Sequence, residues 1–227
     1  MRLLPLLIVA VLPSAALAAD EPVLSPDRPG VGESPGTPGV GAFNVESAAT
    51  LTFVEGDVHP GLQGTRIRVG IAENVELRAV VPDVVFQRSE VVLGPIGAGA
   101  KIAARASDRF SLSVVPELLI TFDGEAGWRV SANGGFEEGK VTLWLNATTT
   151  VFDSDLHVFG GGGASVAIDS GGIYINAGRE VVYRDTLVGG GGWWRLRSNL
   201  QVDAGIDLWL DGPDIIAVPQ IGCSIAF

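Results

Sequence analysis

The chain has 227 residues, 47% of them hydrophobic, and a formal net charge of −11. That length suits one medium domain. The lack of an 18-residue apolar run after the amino-terminal segment excludes a spanning helix, and acidity without a basic stripe excludes nucleic acid as a partner. The single cysteine, Cys223, excludes an intramolecular disulfide and reads as a small residue on an apolar face.

In chain order, residues 1–18 read as a secretory signal, with Arg2 at the start, an apolar core from Leu3 to Leu12 and the small-residue site Ala16-Leu17-Ala18. Residues 19–42 form a Pro- and Gly-rich leader that cannot be a helix or a central strand. It reads either as a flexible periplasmic tether or as a lumen plug whose Asp27, Arg28 and Glu33 pair with charges in a barrel mouth.

From Phe43 the pattern changes to a period of two, the signature of strands with one apolar and one polar face. Phe43, Val45, Ala49, Leu51 and Phe53 oppose Asn44, Glu46, Thr50 and Thr52. Residues 55–62 read as a loop. Gln63–Ala72 and Val75–Val81 place Arg66, Arg68, Glu76 and Arg78 opposite aliphatic residues, and 82–90 read as a second long loop. Val91–Arg105 reads as a strand whose internal charge is Lys101. Phe110–Phe122 and Trp128–Phe136 pair with Glu117 and Arg129 on the polar parity, and Lys140–Val151 puts Trp144 inside. Leu156–Ile168, Ile173–Tyr183 and 184–194 follow. The last hairpin, Leu200 to Phe227, turns at Asp211-Gly212-Pro213-Asp214 and carries Asp203 and Asp207 on its polar face.

The tally is about twelve strands, near the roughly 9–11 residues that a tilted strand needs to cross a bilayer. The predicted fold is all-β: an antiparallel transmembrane β-barrel of outer-membrane type over residues 43–227, in a Gram-negative bacterium. An even strand number puts both termini in the periplasm. Phe43, Phe110, Phe136, Tyr174, Trp193, Trp194 and Phe227 then fall at periplasmic ends. Phe53, Phe86, Phe122, Trp128, Phe152, Tyr183 and Trp209 fall at outer ends, as two girdles. The acidity reads as spread along strands and turns.

The inward parity collects Glu46, Arg66, Arg68, Glu76, Arg78, Lys101, Glu117, Arg129, Asp203 and Asp207. Interleaved signs in a narrow lumen read either as a structural, cross-paired interior or as a polar solute path. No phosphate loop, metal-ligand spacing or nucleophile elbow is present, so neither a cofactor nor a metal is expected. Ser154 and His157 offer an alternative as a lipid-modifying enzyme at the outer end; His59 reads as a loop histidine. The expected partners are outer-membrane lipid, the barrel-assembly machinery reading Phe227, and a small solute, with the protein as a monomer.

Several segments, taken in order, resemble the outer-membrane barrels named for the meta-pathway of phenol degradation. These are Asp27-Arg28-Pro29, Glu33-Ser34, Gly41 and Glu46 at the opening, IRVGIAENVELR as the second hairpin, Gly99 and Lys101 in GAGAKIAAR, and Asp203, Asp214, Gly222 and Phe227 in the closing hairpin. The resemblance implies a transporter without catalytic residues, for a small aromatic or hydrophobic solute. This chain departs from the family in its short outer loops.

Overall fold

The computed structural model describes residues 24–28, 33–105, 107–153 and 155–227. The secretory signal, part of the leader and Ser154 lie outside the described residues. Fourteen strands follow in order: β1 Phe43–Val54, β2 Asp57–Ala72, β3 Val75–Val80, β4 Val84–Phe86, β5 Val91–Leu93, β6 Ile96–Arg105, β7 Phe110–Ile120, β8 Ala126–Glu138, β9 Val141–Phe152, β10 Asp155–Ile168, β11 Gly171–Glu180, β12 Thr186–Arg197, β13 Leu200–Asp211 and β14 Asp214–Ala226. Twelve of them close into one antiparallel barrel. The short β4 and β5 form a side hairpin that pairs with β2. No helix occurs among the described residues.

Closure comes from β1, which pairs with β2 on one side and β14 on the other. The seam ends on Phe227, whose amide donates to the Phe43 carbonyl at 2.8 Å and whose carbonyl accepts from the Phe43 amide at 3.2 Å. Their rings lie 6.0 Å apart. A closed ladder leaves no wall strand with an unpaired edge, which is the condition for a sheet to sit in hydrocarbon. The end bearing Phe43 and Phe227 is called here the terminal mouth; the turns after β1, β7, β9, β11 and β13 form the distal mouth.

The alternation of side chains decides the two surfaces. Leu145 on β9 is 73% exposed and Ile175 on β11 is 69% exposed, while their neighbours Asn146 and Asn176 are buried inside. Exposed aliphatic rows of this extent suit lipid and not water.

Four expectations need correction. Residues 55–62 are not a loop: β2 begins at Asp57 and pairs Pro60 with Leu51. Val58, Pro60 and Leu62 continue the outward row of β2 through the proline and glycine. The second long loop contains β4, and the strand assigned to Val91–Arg105 is two strands, β5 and β6. The girdles are also less complete than the parity-blind sorting implied. Tyr174 is 3% exposed and points inward, and Trp209, although at the distal end of β13, lines the lumen. Both share the polar parity, Tyr174 with Asn176 and Trp209 with Asp207, so strand position was right and facing was not. Trp144 stands inside, as its parity requires.

Candidate functional site: the barrel lumen

All ten of the charged residues read on the inward parity belong to wall strands and face the lumen; nine of them meet from its middle toward the terminal mouth, and Asp207 stands apart in the distal half. The leader threads back among them. It crosses β2 at Gly70, where a parallel bridge joins Val40 and the Gly70 amide donates to the Ala42 carbonyl at 3.0 Å. A Cβ built on Gly70 would stand 2.2 Å from the Gly39 carbonyl oxygen, so a side chain at this crossing would collide with backbone.

Asp27 is the centre of the network. Its carboxylate meets Lys101 Nζ at 2.6 Å, Arg78 Nη2 at 2.7 Å and Arg68 Nη2 at 3.4 Å. Burial pushes this carboxyl up, and the adjacent Arg68, Lys101 and Arg78 outweigh it and hold the group below the usual carboxylate range. Glu46 accepts from the amides of Asp27 and Arg28 at 3.0 and 3.2 Å and from Arg68 at 2.6 Å. Glu76 ties Arg68 and Arg78 together, at 2.7 Å from each. Glu33 reaches Arg78 at 2.7 Å and Arg66 at 3.7 Å. Glu117 accepts from Arg129 at 2.5 Å and lies 3.6 Å from Arg78. Buried charges of this kind persist only with such dense pairing and hydrogen bonding.

Across the lumen Arg28 donates to Asp203 at 3.1 Å and to Gln220 at 2.5 Å, and the Arg28 carbonyl accepts from Gln201 at 3.1 Å. A Cβ on Gly222 would come 2.6 Å from Arg28 Nε, so the bare strand at this point gives the guanidinium its berth. Of the leader residues singled out from the sequence, Asp27, Arg28 and Glu33 therefore all contact wall charges. Ser34 and Gly36 add backbone carbonyls on Lys101, at 2.7 and 3.3 Å, which sequence reasoning missed because carbonyls carry no residue signature.

The distal half of the lumen has another chemistry. A cavity of about 620 Å³ opens there. Its wall on β10, β12, β13 and β14 presents Phe159, Leu187, Trp209, Ile216 and Val218; the facing wall presents Thr50, Gln63, Arg66, Arg129, Ser131 and Asn146. Arg66 and Arg129 at its floor are each paired with a carboxylate, Glu33 and Glu117. A smaller void of about 130 Å³ lies between the leader residues Pro26, Asp27, Arg28, Glu33, Ser34 and Pro35 and the wall residues Gly135, Thr142, Trp144 and Ser165. Glu33 borders both voids. Phe159 and Leu187 escaped the sequence reading because each stands alone on a glycine-rich strand where the period of two is faint.

The charge is not spread evenly, contrary to the reading from composition. The distal turns and strand ends carry Glu55, Asp57, Asp83, Glu90, Asp123, Glu125, Asp153, Asp155, Asp185, Asp211 and Asp214 against Arg88, Arg179 and Arg184. Eleven carboxylates less three guanidiniums leave this rim at −8. The terminal turns balance, with Glu73, Asp108, Glu137, Glu138 and Asp169 against Arg105, Arg109, Lys140, Arg195 and Arg197. His157 at the distal end of β10 stacks on Tyr183 at 5.0 Å, and His59 sits near the start of β2. No group of three or more metal-ligating side chains occurs among the described residues.

No family model matches the chain, and no curated protein matches it. Among solved structures it is similar to the KdgM porin in complex with disordered oligogalacturonate, with 10% identity over 81% of this chain and 99% of that one and a TM-score of 0.63. The NanC porin matches with 8% identity over 80% of this chain and 98% of that one, TM-score 0.58. The Acinetobacter baumannii outer membrane protein Omp33 matches with 7% identity over 82% and 97%, TM-score 0.52. At such identities the likeness is one of architecture: the chain has the closed, twelve-stranded antiparallel fold of porin-type outer-membrane β-barrels.

Proposed function

We propose that the protein is an outer-membrane channel for passive diffusion of a small solute, with the terminal mouth in the periplasm and the distal mouth outside. The observation that carries this reading is the lumen itself. It holds a vestibule of about 620 Å³ on the distal side and a slot of about 130 Å³ that runs beside the leader past Trp144. Barrels of this strand number stand between the side-chain-filled small ones and the open large ones. The leader narrows the lumen further, and we read its described residues as an internal constriction held by Glu46, Arg66, Arg68, Arg78, Lys101 and Asp203 of the wall. The vestibule's aromatic and aliphatic wall favours a solute with an apolar or aromatic body. So does the ordered resemblance of the leader, Lys101 strand and closing hairpin to the phenol meta-pathway barrels. The reading contains no catalytic step.

The test is single-channel recording in a planar bilayer with protein whose folding is verified by heat-modifiable gel migration. Small, discrete conductance steps are expected. A folded barrel that gives no steps under any solute gradient would leave a structural barrel without a pore, which is the rival that the filled terminal half favours.

Phe227 is proposed as the residue through which the last strand is recognised during assembly. Deleting it removes both backbone hydrogen bonds to Phe43 at the seam. Its loss should lower the outer-membrane level several-fold, whereas deleting residues 19–22 should not. Equal levels of the two truncations, measured in membrane fractions, would refute the assignment.

A further inference from the structure

The cations of the lumen are already matched to carboxylates in its middle and terminal half. Two inward carboxylates of the distal half are not matched in this way. Asp207 accepts from Gln220 at 2.7 Å and Asn176 at 3.4 Å, and no ion pair joins it to a cation among the described residues. Glu180 is 8% exposed. It accepts from the amides of Val158 and Val182 at 3.0 and 3.1 Å and likewise has no cation partner among the described residues. Glu180 is buried and Asp207 half-buried; both are hydrogen-bonded by neutral donors, and the Arg28 charge reaches Asp207 from beyond ion-pair distance, so both keep much of their field for whatever enters beside them.

What lies beside them is aromatic. Phe159 and Trp209 stand with ring centroids 6.2 Å apart and border the vestibule together with Asp207. The same two rings border an adjoining cavity of about 380 Å³ with Phe152, His157 and Glu180. Aromatic faces carry negative quadrupole charge and attract cations, most strongly where water is excluded, and Trp does so best. The rim above adds its net of −8, which concentrates cations at the mouth and repels anions.

We propose that the distal vestibule recognises small organic cations with an apolar or aromatic substituent, such as protonated amines and quaternary ammonium compounds. Phe159 and Trp209 supply the aromatic face, and Asp207 and Glu180 supply the counter-charge. The proposal deepens the channel reading and rests on it for the side from which the solute arrives. It sets this barrel apart from the similar porin solved with oligogalacturonate, a polyanionic ligand. The −8 rim and the two unmatched carboxylates would oppose such a ligand here.

The test uses the folded full-length barrel in detergent micelles at low ionic strength, with isothermal titration of benzyltrimethylammonium, benzoate and benzyl alcohol. The cation should bind saturably and at least tenfold more tightly than the other two. Trp209→Leu, and Asp207→Asn combined with Glu180→Gln, should each weaken it at least fivefold while leaving heat-modifiable migration intact. In Glu180→Gln the side-chain amide oxygen can still accept from Val158 and Val182. Equal binding of the three probes, or unaltered binding by the folded variants, would overturn the proposal. If a variant does not fold, the three-probe comparison on the unaltered protein decides. Bilayer recording separates the two readings. Conductance steps without cation preference in binding would remove the site and leave the channel. Cation binding without steps would remove the channel and leave the site.

Discussion

Replacing Asp27 by Ala should free the leader from the lumen. Conductance should rise several-fold, and the bond after Glu33, buried in the intact protein, should become open to a glutamate-specific protease. The substitution strips one carboxylate from Lys101, Arg78 and Arg68 at once. Breaking a buried pair by removing one partner costs about 3–5 kcal/mol, because the remaining charge is left desolvated and unpaired. At roughly 1.4 kcal/mol per factor of ten, that shifts the docking equilibrium by about two to three and a half orders of magnitude. Acid should imitate the substitution. Docking holds the Asp27 carboxyl below its usual range. Its contribution is therefore fully present above the undocked pKa, about 3.9, and is lost only as pH falls through the lower docked value. Docking should be constant from pH 8 to 5 on this account.

Removing residues 19–41 altogether should do more than open the lumen. Apart from the more distant Glu33, Lys101 takes its partners from Asp27, Ser34 and Gly36, all in the leader. The truncated barrel leaves the Lys101 ammonium beside the like charges of Arg68 and Arg78 without the leader carboxylates that offset them and should melt at a lower temperature, and Lys101→Met should recover part of the loss. An Asp27→Ala protein as protease-resistant and as poorly conducting as the parent would show that the leader is held by its backbone contacts at Gly70 and not by charge.

The second large effect is expected on the opposite surface. Leu145→Arg, in the middle of β9, should destabilise the barrel in lipid vesicles by about 2–4 kcal/mol, the cost of a cation on the lipid face near the bilayer midplane. The residue is 73% exposed, so packing contributes little, and the penalty comes from taking the guanidinium into hydrocarbon. Leu145→Ala should cost far less, since nothing packs over the side chain and only transfer free energy is lost. Denaturant titration in vesicles, followed by tryptophan fluorescence, measures both. Leu145→Arg as stable as the parent in vesicles would mean that this row does not face lipid.

The two positions also mark what was legible before the fold was known. Leu145 declares its facing through residues two apart on the same strand, since successive side chains point to opposite sides. That rule needs only local sequence, and it placed all ten lumen charges and Trp144 inside. It failed where punctuation hid the pattern, as at Pro60 and Gly61 in β2. It also failed where strand position was used without parity, as for Tyr174 and Trp209.

The partners of those inward residues were another matter. Lys101 and Asp27 are separated by 74 positions and Arg28 and Gln220 by 192. Such pairs exist only after β1 has closed on β14 and the leader has crossed β2 at Gly70, because barrel curvature, not sequence neighbourhood, brings them within hydrogen-bond reach. The local period of two determined a lipid-facing and a lumen-facing side for most of the wall. Closure alone decided which charges cancel. It matched the cations of the middle and terminal half, left Asp207 and Glu180 beside the aromatic rings, and gathered the acidic turns at one mouth.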